Sequence, residues 1–503
     1  MSSNTFLGFD FGAESGRALL GQLDDNQLHL TEVHRFANTP ITIPTAAGFN
    51  LHWNILQLWS EIKEGLARSA EISQREVGGS LASVGIDTWG VDFGLLDRSG
   101  ALLANPVHYR DDRTDGMMEA AFERLPKADV FAQTGIQFMQ FNSLYQLLSL
   151  VINQSPLLDV ADTFLTVPDL FNFWLTGRAA CEFTNATTTQ CYNPIEQGWA
   201  VELLNAMEIP SSIFPEIVTP GTVLGEVRTG LASELGIEAL PVVAPACHDT
   251  GSAVAAVPAQ GHDFVWLSSG TWSILGIEVQ EAVVNEQALA YNLTNEGGVN
   301  GTFRLCKNVM GMWIVQECRR TWSQQGHDYS YDVMAKMATE AAPFQALIDP
   351  DADDFLKPGD MPSRIQSYCQ QTGQSGPATH GAMIRCVLES LALKYRLVLE
   401  RLEALTDRQL GPIHIMGGGS QNRLLNQFTA DATGRPVITG PVEATATGNI
   451  LIQAIAMGQL GSLGEGRAML RSSIDLGHYE PELAAKDAWD EAYSRIQALV
   501  SKT

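Results

Sequence analysis

Four stretches hold residues whose types and spacing can do chemistry. The first is Phe6–Gly21, FLGFDFGAESGRALLG, an apolar run broken by Asp10 and followed by Gly12, Gly16 and Arg17. Glycines let a backbone approach a phosphate and aim N–H groups at it, forming an anion-binding nest. Arg17 adds positive charge, and Asp10, at the end of the run, can hold Mg2+ through water. Alone, the stretch reads as a plain hairpin. The second, Ser268–Ser273 (SSGTWS), offers hydroxyls and backbone N–H groups without an acid. Two such turns at matching positions weigh more than one, because facing turns can hold a triphosphate. The third, Met416–Gln427 (MGGGSQNRLLNQ), sets glycines between a strand and a helix, where free N–H groups bind anions. The fourth, Pro245–Ala253 (PACHDTGSA), puts His248, Asp249 and Thr250 side by side. An aspartate so placed can take the proton of a hydroxyl that attacks phosphorus. An aspartate that merely caps a helix gives the same local pattern.

The elements around these stretches are readable from their periodicity. Three strand runs, Phe6–Phe11, Arg17–Leu23 and Leu28–Phe36, open the chain. A helix follows at 53–71, with Ile55, Leu58, Trp59, Ile62 and Leu66 on one face and Asn54 as its cap. Two more strand runs flank Asp87–Gly90. The second run must pair antiparallel with the first, and the strand after the helix can return parallel, which gives a mixed sheet covered by helices. The plan restarts near residue 264 with a strand, a Ser/Gly/Thr turn and a strand. A long helix over 382–406 has Ile384, Val387, Leu391 and Val398 near one face. In the third stretch Ser420 suits a helix start, Gly434 its end, and Pro436 stops it. Pro350–Asp360 reads as a solvated loop. Two domains of related plan are therefore expected, 1–250 and 251–503.

Bulk properties narrow the function. The chain has 503 residues, 45% of them hydrophobic and 17% charged, with a net charge of −26. That is long for one core and ordinary for a globular enzyme. The acidic surface disfavours nucleic acid and anionic lipid as partners. The seven cysteines show no CxxC or Cys/His knuckle spacing, which argues against a zinc site and suits free thiols in a reducing cytoplasm; Cys369 and Cys386 are near enough in sequence to pair across a loop. No stretch has the length and apolarity of a membrane helix or of a secretory signal.

Together these pieces resemble the FGGY family of carbohydrate kinases, within the actin-like ATPase superfamily, from Gly8 to about Gln453. The aspartate–glycine hairpin DFGAESGR is the family's opening. The stretches GIDTWGVDFGLLD, VHYRDDRTDGMM, TGIQFMQFNSLYQL, NATTTQ, HDTGSA, LSSGTWS, TNEGG, KNVMGMW and GPVEATATGN resemble one branch, whose sugar is the ketose L-rhamnulose. The resemblance implies an α/β fold of two actin-like, ribonuclease H-like ATPase domains with mixed central sheets and an interdomain cleft. It implies ATP and Mg2+ as cofactors, a small-molecule sugar as partner, a cytoplasmic monomer or homodimer, and a place in L-rhamnose catabolism. By position, Asp249 is the implied catalytic base. Ala13, Glu14, Ser15, Gly16 and Arg17 are the implied phosphate loop, with Thr271, Gln316 and Gly418 as further ATP contacts. Gly90, His248, Thr250 and Asn308 are implied sugar contacts, and Asp10 holds the metal through water.

Glu14 is the awkward member of that set. At about 5 Å and an effective dielectric near 20, a carboxylate and one phosphate charge repel by about 3 kcal/mol. Its side chain is therefore expected to point away from the phosphates, toward Mg2+ or water. Other readings stay open at this stage. A kinase of another ketose or polyol fits the same motifs, as does a non-catalytic sugar-responsive regulator. A dehydrogenase is suggested by Gly417-x-Gly419-x-x-Asn422 with Glu443 beyond, although asparagine replaces the third glycine.

Overall fold

The computed structural model describes residues 4–24, 27–46, 48–77 and 80–500. The chain divides into two compact units, one of residues 1–258, 278–305 and 444–473, the other of 259–277, 306–443 and 474–503. The expected boundary at 250/251 falls inside the helix Asp249–Ala255, and a later segment, 444–473, returns to the first unit.

The first unit is built on a six-stranded mixed sheet. Strand β1 (Thr5–Phe11) is entirely buried, and β2 (Ser15–Asp24) folds back on it antiparallel, so that Asp10 faces Arg17. Strand β3 (Gln27–Ala37) continues the meander. On the other side of β1 lies β4 (Ser83–Thr88), parallel, with Asp10 opposite Asp87. Strands β5 (Thr222–Glu226) and β6 (Pro241–Ala244) complete the order β5-β6-β4-β1-β2-β3. The pairing directions are those expected from the hairpin and the crossover helix. That helix spans Ile55–Ile72 and buries Ile55, Leu58, Ile62 and Leu66, while Trp59 sits edge-on to Trp174. Asn54 occupies the N-cap position but its side chain bonds Gln57 instead of a backbone N–H.

The helix Ala444–Ala456 packs on the same sheet. Asn449 donates to Asp87 Oδ2 at 2.6 Å, and Gln453 donates to the Leu7 carbonyl at 3.0 Å. Gly448 is required there, since a Cβ would lie 1.7 Å from the Ser252 carbonyl oxygen of the helix Asp249–Ala255.

The second unit repeats the arrangement. Strands β7 (Val265–Ser269) and β8 (Trp272–Val279) form an antiparallel hairpin, and β7 pairs parallel with β9 (Ile413–Met416). Strand β10 (Val437–Thr439) is parallel to β9, and β11 (Gly477–Tyr479) closes antiparallel. The long helix runs His380–Thr406, with Ile384, Val387, Leu391 and Val398 all buried. Its Lys394 corrects one expectation. Pro350–Asp360 is not simply solvated: Phe355 and Ala352 are buried, and Asp351 lies 3.0 Å from the Lys394 ammonium, which also binds Asp349 at 2.7 Å. A buried ammonium needs carboxylates, and the acidic stretch supplies them.

Candidate active site

In the first unit, the phosphate-loop candidates lie in the β1–β2 turn. The Gly12 N–H donates to the Ser15 carbonyl at 2.9 Å, and Asn38 ties the turn to the end of β3 by bonds to the Gly12 and Glu14 carbonyls. Glu14 is exposed, whereas Ala13 and Ser15 are half-buried. Neither Gly12 nor Gly16 takes a positive φ. Gly16 is a glycine for packing: a Cβ there would stand 2.2 Å from the Phe36 ring. Arg17 is bound to Asp10 at 2.7 Å.

Asp87, given no role of its own in the sequence reading, connects this turn to the proposed base. It is completely buried beside Asp10. Burial, together with the charges of Asp10 and Asp249, pushes its carboxyl well above the usual range, partly offset by the Asn449 hydrogen bond. Just past it, Thr88 forms a parallel bridge with His248 and donates its N–H to the Cys247 carbonyl at 2.9 Å. The register thus brings Asp10, Gly90 and the His248–Thr250 loop to one end of β1 and β4.

That loop is clamped from below by a buried carboxyl. Glu182 accepts from the Cys247 N–H at 2.9 Å, from the Thr184 N–H and hydroxyl at 2.9 and 2.5 Å, and from the Asn185 N–H at 3.3 Å. The Thr184 hydroxyl oxygen in turn accepts from the His248 N–H at 3.1 Å. Burial raises Glu182 to about 7 against the pull of these donors. Asp249 opens its helix, its side chain 31% exposed. Its Oδ1 accepts from the Thr250 N–H at 2.5 Å and hydroxyl at 3.1 Å and lies 3.4 Å from His248 Nε2. The partly exposed carboxylate is thus held by one oxygen.

Gly90 sits against Thr188, whose Oγ1 would be 2.9 Å from an added Cβ and accepts from the Val91 N–H at 3.0 Å. Val91 has φ +67°, an uncommon conformation for a β-branched residue, and such strain gathers at ligand sites. Its carbonyl is held by Ser143 and Gln146. Beneath it, buried Asp92 gathers the indole N–H groups of Trp53 and Trp89 at 2.6 and 3.0 Å and fixes a stack of Trp53, Trp89, His108 and Tyr109. Burial lifts Asp92 to about 6. Asp87, Asp92 and Glu182 carry the site's architecture; the first two lie within the stretch GIDTWGVDFGLLD, but residue type alone gave none of the three a role.

In the second unit the β7–β8 turn copies the first: the Gly270 N–H donates to the Trp272 carbonyl at 2.9 Å. The start of the helix Trp313–Gln324 docks on it, with the Met312 and Trp313 N–H groups donating to the Gly270 and Thr271 carbonyls. Gln316 lies one turn further on, and its Oε1 has no hydrogen-bond partner among the described residues. The triple glycine meets the same turn. Gly417 has φ +81°, and a Cβ on Gly419 would strike Ser269 Oγ at 2.0 Å, whereas Gly418 faces open space. Thr271, Gln316 and Gly418 are therefore carried by elements packed on one hairpin. Asn422 rather than Ser420 caps the following helix, accepting from the Leu425 N–H at 3.1 Å. This explains the asparagine where a dinucleotide fold has glycine. Asn308, half-buried on the strand Phe303–Met310, belongs to the second unit, unlike the other expected sugar contacts. All seven cysteines are buried free thiols, with those of Cys369 and Cys386 hydrogen-bonded to each other. No helix among the described residues is long and apolar enough to cross a membrane.

Comparison with known proteins bears on the family and the fold. Residues 5–256 match the N-terminal domain, and residues 265–457 the C-terminal domain, of the FGGY family of carbohydrate kinases. The rhamnulokinase of Bacteroides thetaiotaomicron is 45% identical over 98% of this chain and 99% of its own. That of Bacillus subtilis is 38% identical over 95% of both. Among solved structures, ligand-bound xylulose kinase from Lactobacillus acidophilus superposes with a TM-score of 0.80 at 17% identity, covering 99% of this chain and 98% of that one. Plasmodium falciparum glycerol kinase with ADP gives 0.77 at 15% identity over 99% and 98%. At such identities the structures speak to the fold alone, and the fold is the pair of mixed sheets described above. With both family domains matched in order along nearly the whole chain, the protein belongs to the FGGY family of carbohydrate kinases.

Proposed function

We propose that this kinase transfers the γ-phosphoryl group of ATP to the C1 hydroxyl of L-rhamnulose, giving L-rhamnulose 1-phosphate and ADP. The near-full-length relatives, 38–45% identical and named rhamnulokinase, support the sugar assignment. The observation that carries the chemistry is Asp249: a partly exposed carboxylate whose Oδ1 is held by Thr250, while Oδ2 makes no hydrogen bond among the described residues. Asp249 Oδ2 takes the C1 hydroxyl proton as that oxygen bonds to the γ-phosphorus and the bond to the β-phosphate oxygen breaks. His248, Thr250, Gly90 and Asn308 hold the sugar. Ala13 to Arg17 and Thr271 serve the phosphates through backbone N–H groups, with Glu14 turned to water. Gln316 and Gly418 serve the adenosine side. In this reading 1–250 carries the sugar and phosphate loop, and 251–503 the nucleotide.

Asp10 is the residue that would hold Mg2+, through water. The locus suits a cation, since buried Asp87 feels the charges of Asp10 and Asp249, and the Arg17 guanidinium is already bound to Asp10 there. When bound, the ion neutralises charge on the phosphates. The reading also makes the protein a cytoplasmic enzyme of L-rhamnose breakdown, monomeric or homodimeric. A panel of ketoses and polyols in an ADP-release assay tests it. L-rhamnulose is expected to give the highest kcat/KM; a higher value for another sugar would reassign the substrate.

A further inference from the structure

His248 is wedged between Asp249 and a buried ion pair, Arg304 with Glu296, to which the motifs assigned no role. Arg304 is completely inaccessible to solvent. Its Nε donates to the Gly297 carbonyl at 2.7 Å, and its Nη2 donates to His248 Nδ1 at 3.0 Å and lies 3.3 Å from Glu296 Oε2. Glu296, 5% exposed, stands on the strand Thr294–Gly297, and its Oε2 is also 3.4 Å from His248 Nδ1. All these residues belong to the first unit. A buried guanidinium costs several kcal/mol of desolvation that an apolar side chain would avoid, so its retention calls for a purpose beyond filling space.

The purpose follows from donor arithmetic. A guanidinium has only donors. The imidazole nitrogen that receives it must present a lone pair, so Nδ1 is bare and the ring proton resides on Nε2. That nitrogen is the one 3.4 Å from Asp249 Oδ1. The opposite tautomer would set Nδ1–H toward Glu296 and turn a bare Nε2 toward Asp249. There it would repel the carboxylate, or compete for the proton that Asp249 takes.

We propose that Arg304, braced by Glu296 and the Gly297 carbonyl, is a positioning residue that locks His248 as its Nε2–H tautomer. The ring then steadies Oδ1 of Asp249 and cannot draw off the proton arriving on Oδ2. The proposal rests on the reading of Asp249 as the base.

The first test needs no variant. Wild-type protein labelled with 15N in its imidazole rings is examined by long-range 1H–15N correlation, the His248 signals being identified by their loss in His248→Gln. The expected result is an unprotonated Nδ1 and a protonated Nε2; a protonated Nδ1 overturns the proposal. The second test compares Arg304→Met and Arg304→Lys. The methionine variant is expected to lose the tautomer preference and roughly 100-fold in kcat, the scale of a misplaced catalytic group, with the KM for ATP within twofold of wild type. Lysine, which still donates to Nδ1, is expected to restore both. Wild-type kcat in Arg304→Met, or a KM for ATP that rises as much as kcat falls, overturns it. Failure of the base reading looks different: Asp249→Asn would then keep its turnover while the His248 tautomer stayed as described.

Discussion

Replacing Glu182 by glutamine should make the protein more stable in mild alkali and slower at every pH. An ordinary glutamate titrates near 4.5, and burial lifts Glu182 to about 7. The folded state therefore holds a proton that the unfolded state releases between those two values. By linkage, stability is lost as pH rises through that window, fully so above pH 7, and the penalty is absent below pH 4.5. A displacement of this size amounts to about 3 kcal/mol, of which about 2.5 kcal/mol falls between pH 5 and pH 8. Glutamine does not titrate and escapes the loss. Its carbonyl can take the place of Oε2, which accepts from Thr184 Oγ1, Asn185 N and Cys247 N, but its amide then confronts the Thr184 N–H, donor to donor. That conflict costs about 1–3 kcal/mol and does not depend on pH.

The discriminating quantity is thus the change with pH in the difference between the two proteins. Other titrating groups, shared by both, cancel in that difference. For a cooperative unit of roughly 300 residues the unfolding entropy is about 0.6 kcal/mol/K, so the Tm difference should move by about 4 °C in favour of Glu182→Gln between pH 5 and pH 8. Melting curves at four pH values measure it. The same variant should lose roughly tenfold in kcat at pH 8, because the disturbed Thr184 N–H belongs to the clamp on the Asp249 loop. Tm curves that run parallel within 1 °C would refute the assignment of a near-neutral Glu182. Unchanged kcat would refute its role in holding the loop.

Three further outcomes are expected. Asp249→Asn should cut turnover by roughly 10² to 10⁴, about 3 to 5 kcal/mol of barrier; near-normal turnover in single-turnover assays with purified variant would remove Asp249 as the base. Arg17→Ala should raise the KM for ATP more than that for sugar, and it should also free the Asp10 carboxylate it binds at 2.7 Å; steady-state kinetics with each substrate varied would expose the reverse order. Gly448→Ala drives a Cβ to within 1.7 Å of the Ser252 carbonyl oxygen, so the helix bearing Asp249 must shift. A Tm drop from overpacking worth about 1–3 kcal/mol and a fall in kcat should appear together, and wild-type values for both would mean the helix pair tolerates the methyl group.

What was legible in the sequence was whatever local patterning dictates. Apolar runs around glycine turns fixed the two hairpins, and the crossover helix predicted which strand returns parallel to β1. The site motifs were legible for the same reason, since each lies within one such turn. The roles of the buried polar residues that hold the motifs in place, several of them within the motifs themselves, were not legible, because residue type does not report burial and their partners are remote. Asp87 and Asn449 are 362 residues apart, Arg304 and His248 are 56 apart, and Cys247 and Glu182 are 65 apart. Gly16 carries a packing demand that was hidden for a related reason. A glycine beside an aspartate suggests an approaching phosphate, but its vacancy is filled by the Phe36 ring from the neighbouring strand. The consequence concerns where function is encoded. The reacting groups sit in short motifs, while their protonation states and directions are set by carboxyls and a guanidinium buried elsewhere in the chain. On the proposed reading, two enzymes sharing every motif residue can therefore differ in rate through positions such as 182 and 304, which act only by constraining the proposed base and its neighbours.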